Sequence, residues 1–301
     1  MDPRGVVEEL ALSPALAGCM GYLLGRAYAR ARQCAAAAIP EPHRARHLAV
    51  LAMLRGCGPL SQRELGVLAR INRTLMVKLV DELEEHGLVV RERNPSDRRS
   101  YVLAPTAHGL ATLRTLMPAL ALGDAQLTAP LSRIEQERLN ELLRRLLPAG
   151  ADQAMDLLGR FSGYLLVRAH GQFRQRTEDA LAPLGLVLRQ FAALAALRAE
   201  QPCSQQRIAT ILGVTPPAVL PVIDEMDLAG LVGRTRNQAD RRAYRLTLTA
   251  AGRDKLRAAQ RALAEVQSAV AGCLGADGDE ELCLLLAKLL QPAHPQPDGI
   301  A

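Results

Sequence analysis

Residues 94–109 read NPSDRRSYVLAPTAHG, and residues 237–252 read NQADRRAYRLTLTAAG. Both stretches have an Asp-Arg-Arg-x-Tyr core and a Thr-Ala-x-Gly ending. Asp97 and Asp240 stand 143 positions apart, and the same offset relates other pairs. It places Ser61-Gln62 over Ser204-Gln205, Asp81-Glu82 over Asp224-Glu225, and Gly87-Leu88-Val89 over Gly230-Leu231-Val232. ERLNELLRRLL (137–147) lies over EELCLLLAKLL (280–290) in that register, and GYLL recurs at 21–24 and 163–166 with an offset of 142. A fixed period over most of a chain means a duplicated structural unit. Two copies of about 140 residues are expected, over 1–148 and 152–292, with 293–301 as a flexible tail. The joint LPAGAD (147–152) is too short to let the copies tumble freely.

The bulk composition suits that division. A chain of 301 residues has room for two cores. Aromatic residues make up 3% and Trp is absent, so the core must be built from Ala, Leu and Val, a composition that favours helix. The formal net charge of +6 suits a nucleic-acid partner, although many enzymes are as basic. No basic start followed by an apolar run marks a secretion signal, and no apolar stretch of about 18 residues marks a membrane span. The six cysteines form no Cys-x-x-Cys pair and are expected to be reduced, mostly buried thiols of a cytoplasmic protein.

Within copy one, Ser13-Pro14 can open a long helix to about Ala37, and IPEP (39–42) breaks it before a second helix that runs to about Leu54. Ser61-x-x-Glu64 is a capping box for a short third helix. Asn72 can cap a fourth, which stops at Gly87. LVVRER and SYVL have strand character and flank the turn signal Asn94-Pro95-Ser96. Thr106 and Ser132-x-x-Glu135 cap a fifth and a sixth helix. Helix, tight turn, helix and hairpin make a winged helix-turn-helix, whose second helix fits a DNA major groove while the hairpin reaches the flanking backbone or minor groove. The plainer reading is a helical bundle, but a basic hairpin tip follows the helix pair in both copies.

TLMVKLVDELEEHGLVVRERNPSDRRSYVLAPTAHG resembles the MarR family of winged-helix transcription regulators, whose pattern runs Gly-Leu-Val, a basic wing with Asp-x-Arg, then Leu-Thr-x-x-Gly. The resemblance covers nearly all of both copies. Copy one departs from it at Ala104-Pro105, so its wing strand is expected to end early. The resemblance implies a mainly α fold with small β-wings. Members are usually homodimers interlocked through their first and last helices, so it also implies two tandem winged helix-turn-helix domains forming an intramolecular pseudo-dimer. The apolar stripes LNELLRRLL and LCLLLAKLL need a partner, and the other copy supplies one at high effective concentration.

The same resemblance assigns wing roles. Asp97 and Asp240 hold the hairpins, Arg99 and Arg242 enter the minor groove, and Arg98 and Arg241 add charge against phosphate. The alternative is an ordinary solvated turn with a surface ion pair. The recognition helices differ between copies. Copy one offers Arg70, Asn72, Arg73, Thr74 and Lys78, whereas GVTPPAVLPVI (213–223) carries no charge. There Thr215 is expected to cap, Pro216 suits the first helical position, and Pro221 is expected to kink or shorten the helix.

His43 and His47 stand four apart and read as one face of the second helix, a metal half-site that no acid or Cys completes; they are taken as helix surface or effector-pocket wall. Cys19 lies near Tyr22 in the first helix, as in the hydroperoxide-sensing branch of the family. Its spacing to Arg26 differs from that branch and copy two has Phe161, which favours a buried structural Cys over a thiol sensor. No Ser-His-Asp group, phosphate-cradling loop or paired carboxylate points to an enzyme, and no cofactor or metal is expected. The expected partners are double-stranded DNA and a small-molecule effector, without a membrane. The function expected is a ligand-relieved repressor. The rival is a protein-interaction regulator, such as an antirepressor, motivated by the uncharged helix of copy two.

Overall fold

The computed structural model describes residues 20–94, 97–148, 157–236 and 244–291, with only the backbone at 97–99. Cys19, Asp240, Arg241, Arg242, most of the joint and the 293–301 tail lie outside the described residues. No single helix among those described is long and apolar enough to cross a membrane.

Copy one contains α1 (Met20–Ala38), α2 (Ala45–Cys57), α3 (Gln62–Ala69), α4 (Arg73–Glu85), β1 (Val89–Asn94), β2 (Asp97–Pro105), α5 (Ala107–Thr128) and α6 (Arg133–Arg145). This is the order expected from the sequence, and the caps explain its boundaries. The Ser61 hydroxyl accepts from Glu64 N and the Glu64 carboxylate accepts from Ser61 N at 2.8 Å; Ser132 and Glu135 repeat the arrangement. Asn72 Oδ1 accepts from Leu75 N at 2.9 Å, and Thr106 Oγ1 accepts from Gly109 N at 2.9 Å. Each cap satisfies donors that a helix start leaves unpaired.

Copy two repeats the order with α7 (Ser162–Leu181), a 3-10 turn (Ala182–Leu184), α8 (Leu188–Glu200), β3 (Cys203–Ser204), α9 (Gln205–Leu212), α10 (Pro216–Leu228), β4 (Val232–Arg236), β5 (Tyr244–Leu248), α11 (Ala250–Leu274) and α12 (Gly278–Leu289). The short β3 was not foreseen. It adds a third strand to the wing, in the order β3-β5-β4, and copy one matches it with a bridge between Leu60 and Leu103.

Several local expectations are corrected. The copy-one wing strand does not end early, because Pro105 still pairs with Val89. Thr106 N donates to Leu88 O, while Leu103 N donates away from β1 to Leu60 O. Alternation therefore turns the Pro105 nitrogen away from β1, where no donor is needed. Pro221 does not shorten α10, which spans 13 residues like α4. The lost bond falls on the carbonyl of exposed Pro217, which water can reach. Thr215 occupies the N-cap position of α10, yet its side chain makes no cap hydrogen bond. Of the five described cysteines only Cys203 is buried; Cys273 is exposed and the others are half-buried.

The chain divides into two compact units that do not coincide with the two copies. Of the described residues, one runs from Leu23 to Gln172 and resumes at Asp277, so it holds copy one from Leu23 onward together with the first half of α7 and the whole of α12. Of the described residues, the other holds Phe173–Ala276 of copy two and the start of α1 as far as Tyr22. In the first unit, Leu158 and Phe161 of copy two are buried among Leu48, Leu51, Leu54, Leu79, Leu83 and Leu113 of copy one. In the same unit α6 packs along α12. Leu139, Leu142 and Leu143 of α6, Leu146 just past its end, and Leu282, Leu285, Leu286 and Leu289 of α12 are buried. Arg138 meets Glu281 at 2.7 Å and Lys288 meets Glu135 at 2.6 Å. The Lys288 ammonium, with the Ser132 cap, lowers the Glu135 carboxyl to about 2. Asp124 of α5 accepts from Ser162 N at 3.2 Å and Gly163 N at 2.7 Å, so a copy-one carboxylate caps the copy-two helix α7.

Candidate nucleic-acid interface

In copy one the turn between α3 and α4 is set by Arg70, whose backbone is left-handed at φ 53° and which donates its N–H to Val67 O. From α7, Arg168 is buried and donates to Leu68 O at 3.0 Å, tying down the end of α3 just before that turn. The recognition helix α4 buries Met76, Leu79, Val80 and Leu83, and so turns its other face outward. Arg70, Asn72, Arg73, Thr74 and Lys78 are all exposed on that turn and face. The structure thus brings together these five copy-one candidates, with the Asn72 side chain spent on capping.

The wing is braced to this helix. Arg91 on β1 pairs with Asp81 at 3.2 Å and Glu84 at 2.7 Å, both on α4. Copy two repeats the brace at equivalent positions, where Arg234 on β4 pairs with Asp224 and, at 3.0 Å, with Asp227 on α10. These braces were missed in the sequence; the signal was an Arg two residues into each first wing strand and a pair of acids, three apart, late in each recognition helix. The backbone of Asp97, Arg98 and Arg99 forms the start of β2. In copy two the exposed residues at the start of α10 are Val214, Thr215, Pro216, Pro217, Ala218, Leu220 and Pro221, none of them charged.

A second feature sits on α5, beside the segment that leads into α2. A cavity of about 230 Å³ is lined by His43, His108, Ala111, Thr112, Thr115 and Leu116. His43 precedes α2 rather than lying on it, since the helix begins at Ala45. His47 is on α2 but is neither surface nor cavity wall. It is 1% exposed, and its Nε2 bonds Glu82 Oε2 on α4 at 3.0 Å, with Arg46 meeting the same carboxylate at 3.2 Å. The His47 bond, helped by Arg46, holds the Glu82 carboxyl below its ordinary value. His86, just past α4, completes a triangle of rings with centroids 6.0–6.5 Å apart. Among the described residues no group of three or more His, Cys, Asp or Glu is arranged to hold a metal ion. In copy two the position of Thr112 is taken by Lys255, whose ammonium reaches across to Leu184 O at 2.7 Å.

Comparison with known proteins bears on both copies. The MarR family model matches residues 186–244, and a second MarR family model matches residues 43–100. The chain is 33% identical over 127 residues to the HTH-type transcriptional repressor Rv2887 of Mycobacterium tuberculosis, covering 42% of this chain and 91% of the relative. It is 41% identical over 87 residues to a protein of Thauera aromatica named for transcriptional regulation of the hcr operon, with 29% of this chain and 52% of that protein aligned. Among solved structures, the transcriptional repressor CouR bound to a 23-mer DNA duplex is 33% identical and matches 46% of this chain and 97% of its own, with a TM-score of 0.42. On these matches the chain belongs to the MarR family of transcription regulators and carries the family's winged-helix unit twice, in tandem.

Proposed function

We propose that this chain is a ligand-responsive repressor that binds operator DNA in the cytoplasm as an intramolecular pseudo-dimer, without catalysis and without a cofactor. The observation that carries the reading is α4, which offers exposed Arg73, Thr74 and Lys78 beside a wing held in place by the Arg91 brace. Such a helix supplies donors to base edges and phosphates, and a wing arginine reads a narrow minor groove. The packing of α12 and half of α7 with copy one in one compact unit supports the pseudo-dimer. The His43–His108 cavity, lying against α5 and close to the end of α4, is where a small effector would bias the recognition helix.

The test is direct. Arg99→Ala and Arg242→Ala should each weaken DNA binding and flatten its salt dependence by about one unit of slope, because each removes one phosphate-neutralising charge. Unchanged binding in both variants would remove the wing assignment. Genomic footprinting with the purified chain, with and without candidate ligands, then identifies the operator and the effector. The uncharged exposed start of α10 supports a second reading, in which copy two docks a protein rather than DNA. Salt-insensitive or absent DNA binding would favour it.

A further inference from the structure

The four histidines His43, His47, His86 and His108 all belong to copy one. At the equivalent positions copy two carries Leu186, Gln190, Ala229 and Ala251. The tie that joins the second helix of each copy to its recognition helix is nevertheless kept. In copy one, Arg46 and His47 of α2 hold Glu82 of α4; in copy two, Arg189 and Gln190 of α8 hold Glu225 of α10, the Gln190 amide at 2.9 Å. A glutamine therefore performs the structural task, and the imidazole adds what a glutamine lacks, the ability to take up a proton.

We propose that the copy-one histidines form a proton-operated latch on α4 that copy two lacks, so that acid loosens one recognition helix and leaves the other in place. The geometry supplies the mechanism. With Nε2–H given to Glu82, the free position on His47 is Nδ1, which is buried and has no partner. Nδ1 of His43 is likewise buried and unpartnered. A proton added at either nitrogen finds no acceptor in the packed arrangement but finds water once α2 and α4 separate. The surrounding charges are few. His43 faces His86 after α4, His47 on α2 and His108 on α5; His47 faces Glu82 and His86, with Arg46 beside it; and His86 donates Nδ1–H to Glu82 O. Glu82 is the one acid facing the cluster among the described residues, and Arg46 already shares it.

Burial, with help from the neighbouring imidazoles, lowers His43 below the usual 6.5; burial, against the pull of Glu82, lowers His47. The sign follows. A base whose packed-state pKa is depressed binds fewer protons packed than open, so the packed state is favoured above the ordinary histidine range and loses ground as pH falls through it. For a histidine whose packed state refuses the proton, each pH unit below its ordinary value shifts the packing equilibrium by up to about tenfold.

The experiment is hydrogen exchange on the full chain, read for α4 against α10 in the same molecule, from about pH 7.5 to about pH 5.5. After correction for intrinsic exchange, the α4:α10 ratio should rise by about tenfold on acidification. The rise should vanish in a variant carrying the copy-two residues, His43→Leu, His47→Gln, His86→Ala and His108→Ala. His47→Gln alone, which retains the Glu82 bond as Gln190 does, should reduce the rise without lowering stability at about pH 7.5. A ratio independent of pH, or a rise that persists in the four-residue variant, overturns the latch. The consequence for DNA rests on the reading of α4 as a DNA-contacting helix, but the exchange measurement does not. If the chain failed to bind DNA, the latch would still stand or fall on the α4:α10 ratio.

Discussion

Gly109 and Gly252, which end the two repeated stretches, have a reason that only packing reveals. A Cβ built on Gly109 would lie 2.1 Å from Leu88 O, and one on Gly252 would lie 2.0 Å from Leu231 O. Those carbonyls sit where the recognition helix turns into the first wing strand. Beside them, Thr106 Oγ1 donates to Gly87 O and Thr249 Oγ1 donates to Gly230 O, each at 2.7 Å. Thr-x-x-Gly is thus a buckle: the threonine grips the turn and the glycine lets the fifth helix of the copy press against it. Gly109→Ala and Gly252→Ala should each destabilise the chain by about 1–3 kcal/mol, since backbone rather than a flexible side chain must move. Chemical denaturation followed by circular dichroism measures this. Wild-type midpoints in both variants would mean that the turn gives way without cost.

Elements that match in length and position differ in what they offer. Helices α4 and α10 share 13 residues, an Arg brace to the wing and a tie to the preceding helix. Yet α4 exposes Arg73 and Lys78 where α10 exposes Pro216 and Pro221. A homodimer cannot diverge in this way, because one gene sets both halves, whereas a fused pair can. Base-edge recognition draws on donors that α10 largely lacks. Sites selected from random DNA should therefore be lopsided, strict in one half and degenerate in the other. Arg73→Ala with Lys78→Ala should cost far more affinity than Thr215→Ala, on a scale of roughly 1–3 kcal/mol per lost base contact. A palindrome with equal information in both arms would refute the asymmetry.

At the scale of the whole molecule, the proposed pseudo-dimer predicts a chain that supplies its own partner helices and has no need of a second chain. The α6–α12 pair, with its buried leucines and its two ion pairs, already joins the ends of the two copies within one compact unit. Light scattering in dilute solution should report a particle near 32.5 kDa. A two-chain particle that persists at sub-micromolar concentration would mean that these helices trade between chains instead. The copies also differ locally: copy one has a cavity walled by His43 and His108, and copy two carries Lys255, bonded to Leu184 O, at the position of Thr112.

The sequence by itself determined the duplication, its 143-residue register, the helix-turn-helix-wing order and most helix starts, because caps, turns and periodic apolar positions act over a few residues and are written locally. It also showed that the two recognition helices differ. Tertiary structure alone decided the rest. That His47 is a buried tie and not a cavity wall depends on Glu82, 35 residues away. That Pro105 can stay in its strand depends on which way its nitrogen faces across the ladder. That Asp124 caps a helix of the other copy, and that the compact units cut through α7 instead of following the repeat, depends on where apolar faces find partners. Such contacts join residues distant in the chain, and the hydrophobic effect that drives them is non-directional, so the local pattern names a buried face without naming what covers it.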